Sequence, residues 1–247
     1  MIPAPYSKNR LLAALSPADF DYLRPHFQNV DLSADEMLIE AGDRIERAYF
    51  LHDGVVSFVI SLAEGEMIEV GMIGRESALG ASAAFTDDIA LSGAIVRLAG
   101  SASVLDAEVL RSAAERSAPF RAVLARYQRA LFAQAQQYAA CNASHAVEQR
   151  LSRSLLQMRD LSGGDSLFIT QEALSQMLGV RRNSVSSVAH ALQQAHLIRY
   201  SRGHIEIVDP EALKRGACEC YAIVKAHRER LLCAPVAPPN GRFRPAC

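Results

Sequence analysis

The sequence predicts an α+β fold in which an N-terminal region of β-strands is followed by a long helix and a small mixed C-terminal domain. Short apolar runs separated by Gly, Asp and Glu fill residues 30–105, as in an antiparallel β structure. Residues 120–158 contain no proline or glycine and are rich in Ala, Arg, Gln and Leu, which favours helix. Residues 165–210 predict two short helices around a glycine, followed by a hairpin.

The composition is that of a globular protein and excludes a wholly disordered chain. Hydrophobic residues make up 50% of the 247 residues and charged residues 21%, and this length accommodates two domains. The longest apolar stretches, 78–85 and 91–96, fall far short of the roughly 20 residues needed to cross a bilayer. The N-terminus lacks the long apolar segment of a signal peptide, so we expect a cytoplasmic protein with no membrane partner. Five cysteines are an odd number, which favours reduced thiols over a disulfide framework.

The β region is predicted to be an antiparallel sandwich or barrel because its apolar runs are short and regularly interrupted. The runs are Met37–Ile39, Ala48–Leu51, Val55–Leu62, Met67–Met72 and Ala94–Leu98, and the interruptions lie at 41–43, 52–54, 63–66 and 86–88. The segment 55–69, which turns at Glu64 and Gly65, predicts a hairpin.

The long helix carries a stripe of mostly apolar side chains at alternating steps of four and three residues. Its members are Phe120, Leu124, Tyr127, Leu131, Gln134, Tyr138 and Cys141, which form an a/d seam over three heptads. Two interpretations are equally consistent with this stripe alone: a dimer interface with a partner helix, or a helix that lies on the core of its own domain.

A second amphipathic helix follows and ends the central region. Val147, Leu151, Leu155 and Met158 share one face, and the helix is predicted to end at 162–164, where a serine precedes two glycines. We expect residues 1–115 to form the β domain with an N-terminal helical segment, 116–142 the dimerisation helix, and 143–225 the C-terminal domain. Residues 226–247 are predicted to be a largely disordered tail, since the part after Cys233 is rich in proline and glycine.

The segment from Leu167 to Asp209 has the spacing of a winged helix-turn-helix. Thr170 is a predicted N-cap for a helix from Gln171 to Leu178, which ends at Gly179. A second helix is predicted from Asn183 to Ala195, with Val185, Val188, Ala189 and Leu192 on its buried face. Two short strands, 197–200 and 204–207, then form a hairpin whose tip contains Arg202 and Gly203.

The polar face of the second helix suits DNA, because Arg can pair with guanine, Asn with adenine, and Ser can bind phosphate. We predict DNA contacts from Thr170, Arg181, Arg182, Asn183, Ser184, Ser186, Ser187, His190, Arg199, Arg202 and His204. The charge distribution is compatible with this role. Residues 1–140 hold 12 Lys and Arg against 18 Asp and Glu, a net charge of −6, whereas residues 141–232 hold 12 against 9, a net charge of +3.

The words ITQEALSQMLGVRRNSV, LIRY and RGHIEIVD resemble the C-terminal domain of the Crp/Fnr family of bacterial transcription regulators. The preceding residues are similar to the family's N-terminal effector jelly roll, which resembles cyclic-nucleotide-binding domains, and to its central helix. The resemblance covers about residues 15–225 and is strongest at the C-terminal end. It implies a homodimer on palindromic double-stranded DNA, RNA polymerase as a partner, and a small-molecule effector, here unknown. It also favours the dimer interpretation of the helical seam.

The effector region departs from the family pattern. A Gly-Glu pair and a later Arg-Ser pair hold the cyclic phosphate and ribose in the family, and the counterparts here are Gly80-Ala81 and Ser92-Gly93. A phosphate without the arginine would be buried unpaired, at a cost of several kcal/mol. We therefore expect no response to cyclic AMP through the usual pocket. The candidate pocket residues are Met72, Arg75, Glu76, Gly80, Ala81, Ser92 and Gly93, with a turn salt bridge between Arg75 and Glu76 favoured over a role in the pocket.

The recognition helix also departs from the family, in which cyclic-AMP-dependent members show Arg-Glu and a second Arg four residues after the Glu. Arg182 matches the first position, but Asn183 and Ser187 do not match the others, so the family's usual half-site is not expected.

Other functional classes find little support in the sequence. Oxygen-sensing relatives use an N-terminal cysteine cluster, and this chain has no cysteine before Cys141. Cys218 and Cys220 are one residue apart with no second pair, which favours packing over a metal or redox site, so we predict no metal ligands and no cofactor. The alternatives are a binding protein or enzyme built on the barrel, or a regulator with a cysteine redox switch. His52 is the only histidine in 30–105, and catalytic motifs are absent, so we predict no enzyme.

Overall fold

The structure, a computed structural model, describes residues 6–85 and 89–233 and confirms the predicted α+β fold. The helices are α1 Arg10–Ala13, α2 Pro17–Leu23, α3 Ala107–Arg116, α4 Ala118–Ser144, α5 Val147–Ser162, α6 Gln171–Leu178, α7 Arg182–Gln194, α8 Pro210–Gly216 and α9 Cys220–Cys233. The strands are β1 Gln28–Leu32, β2 Met37–Ile39, β3 Arg47–Leu51, β4 Val55–Ser61, β5 Met67–Ile73, β6 Ala78–Leu79, β7 Gly93–Leu98, β8 Gly100–Asp106, β9 Ser166–Phe168, β10 Ile198–Ser201 and β11 His204–Ile207. The interruption at 86–88 and the tail after Cys233 lie outside the described residues.

Two four-stranded antiparallel sheets form the N-terminal domain. Their strand orders are β1-β8-β3-β6 and β2-β7-β4-β5. Side chains from both sheets meet in one buried cluster, which includes Leu51 and Val104 from the first sheet and Val56, Ile73 and Val96 from the second. Burial of these alternating residues between the sheets explains why the short apolar runs of the sequence form a sandwich.

The predicted hairpin is present as β4 and β5, and β5 forms one edge of its sheet. The turn contains Gly65 with a φ of +84°, and the backbone N–H of Leu62 donates to the carbonyl of Glu66 at 2.8 Å. The pairing shifts register between Phe58 and Val59, which marks a bulge. The free edge of β5 lies beside helix α4. The backbone groups on this edge have no neighbouring strand, so they need hydrogen-bond partners outside the sheet.

Helix α4 connects the two domains and begins with a capped first turn. The Ser117 hydroxyl accepts a hydrogen bond from the backbone N–H of Phe120 at 3.2 Å, and a proline occupies the first turn. The helix runs from Ala118 to Ser144, close to the predicted 116–142. Its N-terminal half packs with α1, α2 and α3 in a second buried cluster, which includes Leu12, Phe20 and Leu110.

The C-terminal domain is built around α5 and a three-stranded sheet. Helix α5 ends at Gly163, whose φ of +80° gives the left-handed C-cap that its sequence predicts. The sheet has the order β10-β11-β9, so the predicted hairpin gains a third strand from the segment before α6. Helix α9 packs against α4 and extends to Cys233, which is beyond the predicted start of the tail at 226.

The two domains share a continuous interface. Val55, Met72 and Leu98 of the β domain belong to the same buried cluster as Leu155 and Leu161 of α5. On the described residues, no helix combines the length and apolar character needed to cross a membrane.

Candidate nucleic-acid interface

The first helix of the helix-turn-helix has well-defined ends. The Thr170 side chain accepts a hydrogen bond from the N–H of Ala173 at 3.1 Å, as the sequence predicts for an N-cap. Gly179 closes the helix in the left-handed region, with φ +58° and ψ +45°, and the N–H of Val180 donates to the carbonyl of Ser175 at 3.1 Å. A residue with a Cβ would be strained at Gly179, so the tight turn depends on this glycine.

The second helix, α7, packs against α6 through the predicted apolar face. Val185, Ala189 and Leu192 are buried, and Val188 is half-buried against the same cluster. Ser175 on α6 is also buried, and its hydroxyl donates to the carbonyl of Glu172 at 2.8 Å, which satisfies a polar group at the close crossing of the helices. This packing fixes which face of α7 points away from the domain.

The outward face of α7 carries most of the predicted DNA-contacting residues. Arg181, at the N-cap, precedes the helix, and the exposed set comprises Arg181, Arg182, Asn183, Ser184, Ser187 and His190. The side chains of Arg181 and Arg182 make no hydrogen bond or ion pair within the described part of the chain. Ser186 differs, because its hydroxyl donates to Oε1 of Gln171 at 2.6 Å and so joins α7 to the start of α6. Sequence reasoning missed Gln171, whose partner is 15 positions away.

The predicted wing is a tight hairpin whose two turn residues both have positive φ. The values are +47° for Arg202 and +80° for Gly203, and Ser201 pairs with His204 across the turn. Positive φ at both central positions is the geometry of a type I′ turn, which matches the twist of the strands. Arg202 is exposed at the tip, and the Thr170 side chain lies close to Gly203. The start of α6 and the tip of the wing are therefore neighbours.

Two other predicted wing contacts already have partners. The Arg199 guanidinium donates to the Glu206 carboxylate at 3.0 Å, across directly paired strand positions. His204 Nε2 lies 2.7 Å from the Ser166 hydroxyl, and its ring stacks on Phe168 with centroids 4.7 Å apart. These side chains brace the three strands of the wing sheet.

The structure corrects the predicted dimer seam. All seven residues point into their own chain: Phe120, Leu124, Tyr127, Gln134, Tyr138 and Cys141 are buried, and Leu131 is half-buried against two internal clusters. A helix that crosses its own β domain needs an apolar stripe for that packing, and the heptad spacing of the stripe does not reveal which partner it meets. The interpretation as a helix on its own core is the one that the structure supports.

The glutamine in this stripe has a clear structural role. Gln134 accepts from the N–H of Met72 at 3.2 Å and donates to the carbonyl of Met72 at 3.1 Å, which satisfies both backbone groups on the free edge of β5. Gly71 permits the approach, because a Cβ at that position would lie 2.8 Å from Oε1 of Gln134. The polar seam position thus attaches α4 to the edge strand.

The opposite face of α4 is exposed in the single chain. It repeats at the same steps of four and three, shifted in phase, through Ala125, Arg129, Phe132, Gln136, Ala139 and Ala143. Phe132 is 66% exposed, an unusual position for a large aromatic side chain on an otherwise small and polar helix face. Sequence reasoning missed this stripe because alanine and glutamine do not stand out in a hydrophobic pattern.

The candidate effector residues lie at the junction of β5, β6 and the start of β7. Gly80, with a φ of +76°, precedes a short 3₁₀-helix at Ala81–Ala84. Ala81 and Gly93 are buried, and a Cβ on Gly93 would lie 3.1 Å from the Val59 side chain. Met72 is buried beside α4. The alanine at position 81 provides no carboxylate at the start of this 3₁₀-helix.

The predicted turn salt bridge between Arg75 and Glu76 is replaced by other pairs. Nε of Arg228 on α9 lies 2.6 Å from the Glu76 carboxylate, and Nη1 of Arg10 on α1 lies 3.6 Å from it. Burial raises the pKa of Glu76, and the charges of Arg228, Arg10 and Arg75 counteract that effect. Arg75 is exposed and extends toward Gly163. A cavity of about 20 Å³, enough for a water molecule, lies between this region, α4 and α9.

A polar cluster joins the two domains where β4 and β5 face α4 and α5. Glu69 of β5 is buried and accepts a hydrogen bond from Ser57, while Arg153 of α5 stacks on Tyr138 with 4.0 Å between the guanidinium carbon and the ring centroid. The Tyr138 hydroxyl donates to Gln157 at 2.8 Å. Burial raises the pKa of Glu69 to about 7, against the hydrogen bond from Ser57 and the charge of Arg153, which lower it.

Comparison with known proteins agrees with this architecture. The family model of the Crp-like helix-turn-helix domain matches residues 149–215, and the model of the cyclic nucleotide-binding domain matches residues 29–117. Together the two matches span more than half of the chain. The chain belongs to the Crp/Fnr family of transcription regulators, with a DNA-binding helix-turn-helix domain. No curated protein sequence matches it.

Solved structures share the fold at low sequence identity. FixK2 from Bradyrhizobium japonicum is 15% identical with a TM-score of 0.66, and the match covers 78% of this chain and 98% of FixK2. A Crp/Fnr-family regulator from Eubacterium rectale is 17% identical with a TM-score of 0.66, covering 85% of this chain and 98% of that one. The c-di-GMP-responsive regulator CLP from Xanthomonas campestris is 16% identical with a TM-score of 0.63, covering 78% and 99%.

Proposed function

We propose that this protein is a homodimeric, sequence-specific regulator that binds palindromic double-stranded DNA through two copies of α7. The observation that carries the proposal is the exposed N-terminal end of α7, where Arg181, Arg182 and Asn183 project from a helix whose other face is buried. In helix-turn-helix proteins, the N-terminal end of the recognition helix enters the major groove of DNA.

The contacts divide into two roles. The exposed residues of α7 contact bases or the nearest phosphates; they are Arg181, Arg182, Asn183, Ser184, Ser187 and His190. The DNA phosphate backbone beside the groove is bound by Thr170 and Arg202. Ser186, Arg199 and His204 hold the motif in shape through their partners within the chain. Because the last three already have partners, their removal should affect DNA binding less than removal of Arg182.

The homodimer forms through the outward face of α4 in this proposal. Small residues allow two helices to approach closely, and Phe132 supplies a large apolar side chain in the same stripe. The seven inward residues instead support the helix from within its own chain. RNA polymerase is the partner through which a regulator of this type acts on transcription.

The proposal excludes the usual cyclic AMP response. Ala81 stands where the family has a glutamate, and Ser92 stands where it has an arginine, so the charged groups of the phosphate cradle are missing. The nearest buried carboxylate, Glu76, is paired with Arg228 and Arg10. A small-molecule effector of other chemistry remains compatible with the domain.

The test is selection of bound sequences from random duplexes by the purified full chain, at two salt concentrations, with and without cyclic AMP. We expect enrichment of a palindrome whose half-sites lie about one helical turn apart, equally with and without cyclic AMP. A large salt dependence should accompany binding, because phosphate contacts release counterions. Enrichment of an asymmetric site would contradict the dimer, and dependence on cyclic AMP would contradict the account of the pocket.

Phe132→Ala tests the dimer surface separately from DNA reading. We expect the dimer dissociation constant, measured by sedimentation, to rise at least about tenfold, as for a central aromatic residue of an interface. Phe168→Ala is the matched control, because Phe168 is 71% exposed but lies on the wing sheet. An unchanged dissociation constant for Phe132→Ala would place the dimer interface elsewhere.

A further inference from the structure

Three cysteines and one histidine from two distant segments of the sequence meet at the junction of α4 and α9. Cys141 and His145 are one helical turn apart at the end of α4, and Cys218 and Cys220 lie at the start of α9. The four potential ligand atoms all lie within 4.8 Å of one another. None of these four residues belongs to α7 or to the wing, and none is among the proposed DNA contacts.

The distances within the cluster fit one tetrahedral ion. The sulfurs of Cys141 and Cys218 are 3.5 Å apart, and the Cys220 sulfur lies 3.6 Å from Nδ1 of His145. Zinc–sulfur bonds of about 2.3 Å at tetrahedral angles place neighbouring sulfurs about 3.8 Å apart. An iron–sulfur cluster would spread its ligands over at least two irons and would need a wider arrangement.

The histidine is already oriented as a metal ligand would be. Nδ1 faces the thiols, and Nε2 lies 3.2 Å from the Glu219 carboxylate. A carboxylate on the second ring nitrogen fixes the tautomer and increases the basicity of the ligating nitrogen, which is a common arrangement around zinc. Glu219 lies between the two cysteines of the pair, so one short segment supplies two ligands and the group that orients a third.

The surroundings also suit three thiolates. All three cysteines are buried, and Gln137 Nε2 donates to the Cys220 sulfur at 3.0 Å. Three thiolates, a neutral histidine and Zn²⁺ carry a net charge of −1. Arg150 and Arg153 are close enough to interact electrostatically with Cys141 and Cys218 and would balance that charge.

We propose that Cys141, His145, Cys218 and Cys220 bind one Zn²⁺ ion. Binding replaces three S–H bonds by Zn–S bonds and releases three protons to solvent, with no change in oxidation state. Four protein ligands complete the tetrahedron, so the site is structural and has no open position for a reaction. The ion ties α9 to the end of α4, beside the start of the DNA-binding domain.

The sequence alone gave a weak indication of this site. The Cys218–Cys220 pair has no second pair nearby, and Cys141 lies 77 positions before Cys218. The other indication is the spacing of Cys141 and His145, which places both on one helix face. Only the packing of α9 against α4 brings the two pairs together, so the prediction of a purely packing role overlooked the ligands on α4.

The first test is the zinc content of the untagged full chain, purified under reducing conditions from zinc-containing medium. We expect about one zinc per chain, as for a closed four-ligand site. Cys141→Ser and Cys218→Ser should each lower the content to background. Cys247→Ser, which changes the cysteine furthest along the chain from the cluster, should keep it. Equal loss of zinc in Cys247→Ser would overturn the ligand assignment.

Cobalt binding to the wild-type chain keeps the test independent of whether the variants fold. Metal-free protein titrated with Co²⁺ should develop the intense visible and sulfur-to-metal absorption of tetrahedral cobalt thiolates, and equimolar Zn²⁺ should remove both. Absence of zinc together with absence of this spectrum would overturn the proposal. Iron with acid-labile sulfide, or a Cys141–Cys218 disulfide in the reduced preparation, would overturn it as well.

Discussion

Two groups of arginines in this chain have opposite environments. Arg181 and Arg182 are exposed at the start of α7, and their side chains have no partner within the described residues. Arg97, Arg150 and Arg153 are at most 7% exposed, and each contacts another element of the fold. Residues of the same type therefore occupy two environments: the two exposed arginines are the proposed DNA contacts, and the three buried ones connect elements of the fold.

The contacts of the buried group connect elements both between the domains and within the C-terminal domain. Arg97 of β7 donates to Gln176 of α6 at 3.2 Å, and Arg150 of α5 donates to the carbonyl of Leu178 at the end of α6. A cation at a helix C-terminus can donate to a free carbonyl, and it interacts favourably with the helix dipole. Two buried cations, Arg97 and Arg150, thus hold α6 of the helix-turn-helix in position.

The largest expected effect belongs to the buried group. Arg153→Met removes the cation that faces Tyr138 and Glu69, leaves the buried Glu69 carboxylate with Ser57 and Arg97 to offset its burial, and should lower the free energy of unfolding by roughly 3 to 5 kcal/mol. Urea denaturation measures this change. The double variant Glu69→Gln/Arg153→Met should recover part of the loss, and a loss no smaller than in the single variant would show that Glu69 and Arg153 are not coupled.

The pH dependence of stability tests the carboxylate at the same place. The folded pKa of Glu69, about 7, exceeds the ordinary value of 4.5, so the folded state binds the proton more tightly. Stability should therefore fall as the pH rises from 4.5 to about 7, by roughly 3 kcal/mol in total. Glu69→Gln should remove the share of the fall that Glu69 contributes and leave that of Glu76, whose pKa is also raised, whereas the exposed Glu64→Gln should retain the whole fall. The measurement is urea denaturation at about pH 5 and about pH 8, near the two ends of this pH range.

Arg182→Ala tests the exposed group. It should weaken binding to the selected palindrome by about 1 to 3 kcal/mol and leave the free energy of unfolding nearly unchanged. Fluorescence anisotropy with specific and random duplexes gives both affinities, and Arg24→Ala is a matched control on an exposed arginine of the N-terminal domain. Equal weakening on random DNA would move Arg182 from base contact to phosphate contact.

Arg199→Ala should have the smallest effect, because Arg199 is exposed yet paired. Its side chain is 72% exposed in the ion pair with Glu206, and exposed pairs contribute less than about 1 kcal/mol. A double-mutant cycle with Glu206→Ala measures the coupling. A larger coupling would mean that the wing depends on this pair in the way that the interior depends on Arg153.

The sequence revealed the helix-turn-helix more completely than the rest of the molecule. Thr170, Gly179 and the apolar face of α7 act over a few residues, so local rules identify them. The strands β1 and β8 pair at long range, and their runs did not stand out. The direction of the α4 stripe was undetermined for the same reason: spacing defines a face, but only the packed fold shows what that face meets.

The sequence predicted which residues of α7 are exposed, but it did not predict which side chains have partners within the chain. The identity of the exposed residues on α7 followed from periodicity, whereas the Gln171–Ser186 contact and the Arg199–Glu206 pair required the folded positions. The metal-ligand geometry is the extreme case, since it depends on two segments that neither charge nor hydrophobic pattern connects. Long-range polar contacts are the part of this protein that local sequence rules do not specify.

The shared carboxylate of Glu76 has a consequence for biosynthesis. Its two partners, Arg10 on α1 and Arg228 on α9, flank almost the whole described chain. A ribosome delivers Arg10 and Glu76 long before α9, so the nascent β domain holds this carboxyl without its second cation. The N-terminal domain therefore reaches its final electrostatic balance only after α9 has been synthesised and has docked, which makes the docking of α9 a late step in the folding of the first domain.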